Sequence, residues 1–106
     1  MGKGRIVLVP FPFTDLSGQK IRPALILYVS RGEDCIVAFI SSVERKKSAF
    51  DVSIKATRAN GLKVNSVIRT DKLATLQRKI VLGELGTLEK ELLTAVDASL
   101  RKLFKL

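Results

Sequence analysis

The chain has 106 residues, 46% hydrophobic and 27% charged, which is enough apolar content for one folded core and too short for a second. Its formal net charge of +9 and isoelectric point near 10.1 direct attention to a polyanionic partner, with RNA and an acidic protein foremost. There is no histidine, a single cysteine and no concentrated group of carboxylates, so an intrachain disulfide is excluded and any catalysis falls to Arg, Lys, Asp, Glu, Ser or Thr.

Arg5 to Val9 is β-branched and aliphatic and reads as a first strand, closed by Pro10 and Pro12 because proline cannot donate to a sheet ladder. The turn formers from Thr14 to Lys20 predict a loop that returns the chain to a second strand, Arg22 to Val29. After the turn Gly32-Glu33-Asp34, Cys35 to Ile40 reads as a third strand, in which the lone thiol is a small buried hydrophobe. Glu44 to Lys47 marks a solvated loop, and Asp51 to Lys55 alternates polar and apolar as a half-exposed fourth strand does. Asn60-Gly61 signals a turn before a short fifth strand, Ser66 to Arg69, whose end carries a polar cluster at a sheet rim. A brief helical turn is expected at Ala74 to Leu76 and a last strand at Ile80 to Leu85.

From Thr87 the period changes: Leu88, Leu92, Val96, Leu100 and Leu103 fall three or four apart on one helical face, with Thr87 as N-cap, Glu89 and Glu91 early and Arg101, Lys102 and Lys105 late. The whole predicts a mainly β domain, a small and strongly bent antiparallel sheet or partial barrel with the terminal helix covering one side. The longest apolar runs fall far short of the roughly 20 residues that span a bilayer, and no charged leader with an apolar core opens the chain, so a cytoplasmic location is expected.

Several positions are candidates for chemistry. Arg22 leaves a strand beside a loop, and Ser41 and Ser42 end an apolar strand with their side chains on opposite faces. Arg69 and Asp71 are two apart, which in extended backbone places both on one face, within a segment whose Thr70 and Lys72 also suit a phosphate. Arg45, Lys46 and Lys47 fit a basic loop that follows a phosphate backbone, and Phe11 and Phe13 are either base-stacking rings or hydrophobic plugs.

In order, these segments resemble the plasmid-maintenance toxins of the PemK and MazF type over nearly the whole length, as a single toxin domain spanning residues 1–106. Arg5 to Asp15 is similar to that family's first strand and loop, and Arg22-Pro23-Ala24-Leu25-Ile26-Leu27 to its arginine–proline strand. Phe39-Ile40-Ser41-Ser42 resembles its hydroxyl-ended strand, Val67 to Asp71 its arginine and acid strand, and Val96 to Leu100 its closing helix. No one of these short motifs identifies the family; their shared order does. The resemblance implies a dimerising SH3-like barrel that cleaves single-stranded RNA without metal or other cofactor and is neutralised by an acidic antitoxin. It also implies catalytic places for Arg22, Ser41, Arg69 and Asp71, and RNA contacts from Ser42, Gln19, Lys20, Arg45, Lys46, Lys47, Thr70 and Lys72. The chain departs from the pattern in two respects: the family's loop histidine is missing, so that either Gln19 or Lys20 substitutes or the role is dispensable, and Gly4-Arg5 stands where many relatives carry Gly-Asp.

The reaction expected is attack by the RNA 2′-hydroxyl on its own phosphate, which needs alignment and charge stabilisation more than an activated water. Arg22 and Arg69 would hold the phosphate, Ser41 would donate a further hydrogen bond and Asp71 would take the proton. Two other classes fit parts of the sequence. A gyrase-poisoning toxin of the same fold would need another protein to act, and a non-catalytic nucleic-acid-binding barrel would bind by charge and yield no product.

Overall fold

The computed structural model describes residues 1–11, 20–42 and 48–106, with Phe11 described by its backbone alone. Among the described residues six strands and one long helix follow one another: β1 (Arg5–Phe11), β2 (Lys20–Val29), β3 (Asp34–Ser41), β4 (Asp51–Ile54), β5 (Ser66–Gln77), β6 (Gly83–Thr87) and α1 (Lys90–Phe104), with a 3₁₀ turn at Arg78–Ile80. The strands form one antiparallel sheet in the order β4-β5-β3-β2-β1-β6, curled into a half-barrel, so the mainly β architecture expected from the sequence is the one found.

Neighbouring residues on a strand point to opposite faces, and here both faces are apolar. On one, Ile6, Leu25, Ala38, Ile40, Ile54 and Ile68 meet Leu88 and Val96, with Leu92, Leu93 and Leu100 of α1 packed against them. On the other, Val7, Val9, Ala24, Ile26, Cys35, Val37 and Phe39 gather with Leu76, covered in part by Ile80 and Val81. Each fully buried aliphatic side chain contributes about 1.5–3 kcal/mol. Burial also raises the Cys35 thiol above its ordinary range, in keeping with a structural cysteine.

Several boundaries differ from the sequence reading. β1 runs through Pro10, which pairs with Ile21, because β6 flanks β1 only as far as Leu8 and a missing N–H beyond that point interrupts no second ladder. The helical turn expected at Ala74 to Leu76 is strand instead: β5 continues to Gln77 because Leu73 to Gln77 pair residue by residue with Ala38 to Asp34. The last strand begins at Gly83 rather than Ile80. Thr87 ends that strand and its hydroxyl accepts from Arg5, so the N-cap is Glu89, without a side-chain capping bond. Arg5 also donates to Glu84 Oε2 at 2.8 Å, tying β1 to β6 and holding the Glu84 carboxyl below its ordinary range. No helix among the described residues is long and apolar enough to cross a membrane.

Between β4 and β5 the chain is folded into a tightly bonded loop. The side chain of Asn60, fully buried, accepts from the N–H groups of Thr57 and Leu62 and donates to Lys55 O, while Asn60 N–H donates to Thr57 Oγ1. Asn65 closes the loop by accepting from Ala56 N–H at 2.9 Å.

Candidate active site

The register of the sheet brings three of the sequence candidates to one side of it. Ala24 of β2, Phe39 of β3 and Arg69 of β5 lie directly across from one another, with Asp51 of β4 beyond Arg69. Ser41 is two residues past Phe39 and Arg22 two residues before Ala24, so both share that side, at strand ends that continue beyond the last β2–β3 pair. Arg22, Ser41 and Arg69 are each half-buried, as suits groups that must both be held and meet a ligand. The Nε of Arg69 is buried and finds no hydrogen-bond partner among the described residues.

Asp71 comes to the same region by a different route from simple alternation. Ala38 pairs with Leu73 and Phe39 with Arg69, so Thr70, Asp71 and Lys72 form a bulge with no counterpart on β3. Ile68 and Thr70 are buried on the helix side, Asp71 and Lys72 are exposed, and Leu73 returns to the helix side. The bulge thus turns two consecutive polar side chains outward, in mid-strand rather than at a rim. No hydrogen bond or ion pair joins Arg69 to Asp71 among the described residues.

Two clefts lie near these strand ends and share Ser42 and Ser66, the first of them reaching Ser41 of the row. One, of about 280 Å³, has Ser41, Ser53, Lys55 and Asn65 in its lining together with Ile54 and Val67. The other, of about 330 Å³, is mainly apolar, lined by Leu8, Ile21, Pro23, Leu62, Val64 and Leu85. A larger hollow of about 470 Å³ beside Gly32, Gln77 and Arg78 lies at the distant turn between β2 and β3 and touches none of the candidate residues.

The sequence matches the profile of the PemK-like, MazF-like toxin of type II toxin-antitoxin systems over residues 2–104. The chain belongs to this toxin family. Among solved structures it is similar to the toxin MazF-mt6 of Mycobacterium tuberculosis, at 25% identity and a TM-score of 0.76, covering 96% of this chain and 97% of that one. It is also similar to MazE-MazF (Form-II) from Deinococcus radiodurans, at 21% identity and a TM-score of 0.81 over 100% and 96% of the two chains. An endoribonuclease in complex with its cognate antitoxin from a mycobacterial species shares the fold at 15% identity, with a TM-score of 0.79 over 100% and 96%. No curated protein sequence matches at a significant level.

The remaining candidates of this PemK/MazF-type toxin fall into three groups. Lys20 is exposed and two residues before Arg22, hence on the same side, while Ser42 and Lys72 are exposed beside the row. Gln19, Arg45, Lys46 and Lys47 lie outside the described residues, as does Phe13. Thr70 is corrected by the structure: it is fully buried and its hydroxyl is committed inward, so its side chain is not an RNA contact. Thr70 Oγ1 donates to Phe50 O at 2.6 Å, which spends its only proton and makes Ser99 the donor of the 2.7 Å bond that ties the bulge to α1. Lys102 of α1 sits 5.9 Å from the ring centre of Phe50, a second link between the helix and the same turn.

Replacing this hydroxyl tests that lock. Thr70→Val is expected to lose about 1–2 kcal/mol, because Ser99 is left without its acceptor, while Thr70→Ser stays close to wild type. Urea unfolding of the two variants measures the difference, and equal midpoints for Val and wild type would contradict it. Lys55 and Asn65, isolated polar residues on either side of the Asn60-Gly61 turn that sequence reading did not single out, are brought into the cleft lining beside Ser41 by the fold of the loop.

Proposed function

We propose that this toxin is a metal-independent endoribonuclease that cleaves single-stranded RNA by attack of the 2′-hydroxyl on the adjacent phosphate, leaving a 2′,3′-cyclic phosphate and a 5′-hydroxyl. The observation that carries this reading is the convergence of Arg22, Ser41 and Arg69 on one side of three neighbouring strands, with the Asp71 bulge beside them. Two guanidiniums in this arrangement suit a phosphate on which negative charge builds, and arginine forks bind such oxygens in pairs. Ser41 supplies a hydroxyl at the same edge, and exposed Asp71 is the available base, since arginine stays protonated at any working pH.

The same reading extends to partners. Structures with this fold include toxin–antitoxin complexes, and a formal charge of +9 favours an acidic antitoxin segment that competes with RNA for the same surface. Function as a cytoplasmic homodimer belongs to the proposal as well.

Asp71→Asn tests the assignment of the base. The variant keeps the shape of the exposed side chain and should bind RNA as well as wild type while cleaving it about a hundredfold more slowly. Single-turnover cleavage of an unstructured RNA in EDTA, with no other protein present, makes the measurement. Full activity would remove Asp71 from the mechanism, and binding without any product from wild type would remove the ribonuclease reading itself.

A further inference from the structure

We propose that Asn60-Gly61 is a site of spontaneous covalent modification that the fold holds dormant: the pair deamidates while the β4–β5 loop is open, and the product no longer rebuilds the loop. A glycine after an asparagine has no Cβ to keep its backbone nitrogen away from the preceding side chain. In the open chain Gly61 N attacks Asn60 Cγ; the N–Cγ bond forms, the Cγ–Nδ2 bond breaks, and the departing ammonia carries off the Gly61 amide proton. Water then adds to one carbonyl of the succinimide ring and returns a hydrogen to the nitrogen. Opening on one side leaves aspartate and on the other isoaspartate, with water as the only co-reactant.

The closed loop withholds each group this reaction needs. Gly61 N–H donates to Thr57 O at 3.0 Å. Asn60 Oδ1 accepts from Thr57 N–H and Leu62 N–H, each at 3.0 Å, and its Nδ2 donates to Lys55 O at 2.8 Å. The residue is fully buried, which keeps water and hydroxide from the amide.

Neither residue can be exchanged for a less reactive one without loss. Gly61 has a φ of +73°, and a Cβ there would lie 2.3 Å from Leu85 O. Asn60 must accept twice and donate once from one short side chain, which is the chemistry of an amide.

The product fails on the same bonds. At neutral pH an aspartate keeps an oxygen for the two N–H donors but turns the other against Lys55 O, two buried acceptors with no proton between them. Isoaspartate adds a carbon to the backbone where Gly61 and Gly86 already lie hard against their neighbours. The change is one-way, so a chain that ages while open loses its loop for good. That loop supplies Lys55 and Asn65 to one cleft and Gly61 and Leu62 to the other, and the damage therefore reaches the lining beside Ser41.

The other asparagine, Asn65, is followed by Ser66 and is exposed, which makes it an internal reference. The full-length protein is incubated at mildly alkaline pH with and without guanidinium chloride, and peptide mapping by mass spectrometry follows both amides. In denaturant Asn60 should convert several-fold faster than Asn65. In buffer alone Asn60 should convert about a hundredfold or more slowly than in denaturant, because the rate then follows the fraction of molecules with the loop open. Gly61→Ala, measured in denaturant and so independent of folding, should slow Asn60 several-fold and leave Asn65 unchanged. Asn60→Asp should unfold at a lower urea concentration than wild type or fail to fold. Equal Asn60 rates with and without denaturant, an Asn60 no faster than Asn65 in denaturant, an unchanged Asn60 rate in Gly61→Ala, or a wild-type midpoint for Asn60→Asp would each overturn the proposal.

Discussion

Arg22→Ala is expected to slow cleavage of single-stranded RNA by about a hundredfold or more, the usual effect of removing one preorganised donor from a developing oxyanion. The side chain stands at the end of β2 beyond its last pair with β3, half-buried. No described side chain forms an ion pair with it, so the fold should lose little, under about 1 kcal/mol. Arg22→Lys should recover only part of the rate, because an ammonium keeps the charge and loses the fork that meets two phosphate oxygens at once. Single-turnover rates alongside urea unfolding separate these effects. An Arg22→Ala protein that cleaves at the wild-type rate would place the site elsewhere on the molecule.

The largest effect on stability is expected at Gly86. A Cβ at this position would lie 2.1 Å from Ala59 O and 2.7 Å from the carbonyl carbon of Asn60, and both obstacles are backbone, which cannot swing aside. Gly61 meets β6 from the other side, with φ of +73° and a Cβ position 2.3 Å from Leu85 O. The two glycines let the β4–β5 loop lie against the edge strand, where Thr87 N–H donates to Ala59 O at 2.9 Å. Gly86→Ala should therefore cost about 3 kcal/mol or more, at the upper end of overpacking effects. Equilibrium unfolding measures the effect, and a midpoint equal to wild type would show that the backbone contact is not as close as described.

The sheet and helix were legible because their cause is local. The continuous β-branched and aliphatic runs in Arg5 to Val9 and Cys35 to Ile40, and the leucine spacing from Leu88 to Leu103, are set by where each stretch must bury itself. Boundaries were harder where a neighbour decided the matter. Ala74 to Leu76 has no strong preference of its own and became strand because β3 was there to pair with it. Arg22, Ser41 and Arg69 could be named from residue type and order, yet their shared side depends on a register that sequence alone does not fix. Thr70 shows the limit: a threonine between an arginine and an aspartate reads as a phosphate contact until a bulge and a helix serine claim its hydroxyl.

The most direct test of the central claim is the chemistry of the 3′ ends left on unstructured RNA by the purified protein in EDTA, compared with Arg22→Ala and Asp71→Ala. The account predicts 2′,3′-cyclic phosphate ends from the wild type and none at the same positions from either variant. Products ending in a 3′-hydroxyl, or cyclic phosphate ends formed equally by the variants, would contradict it.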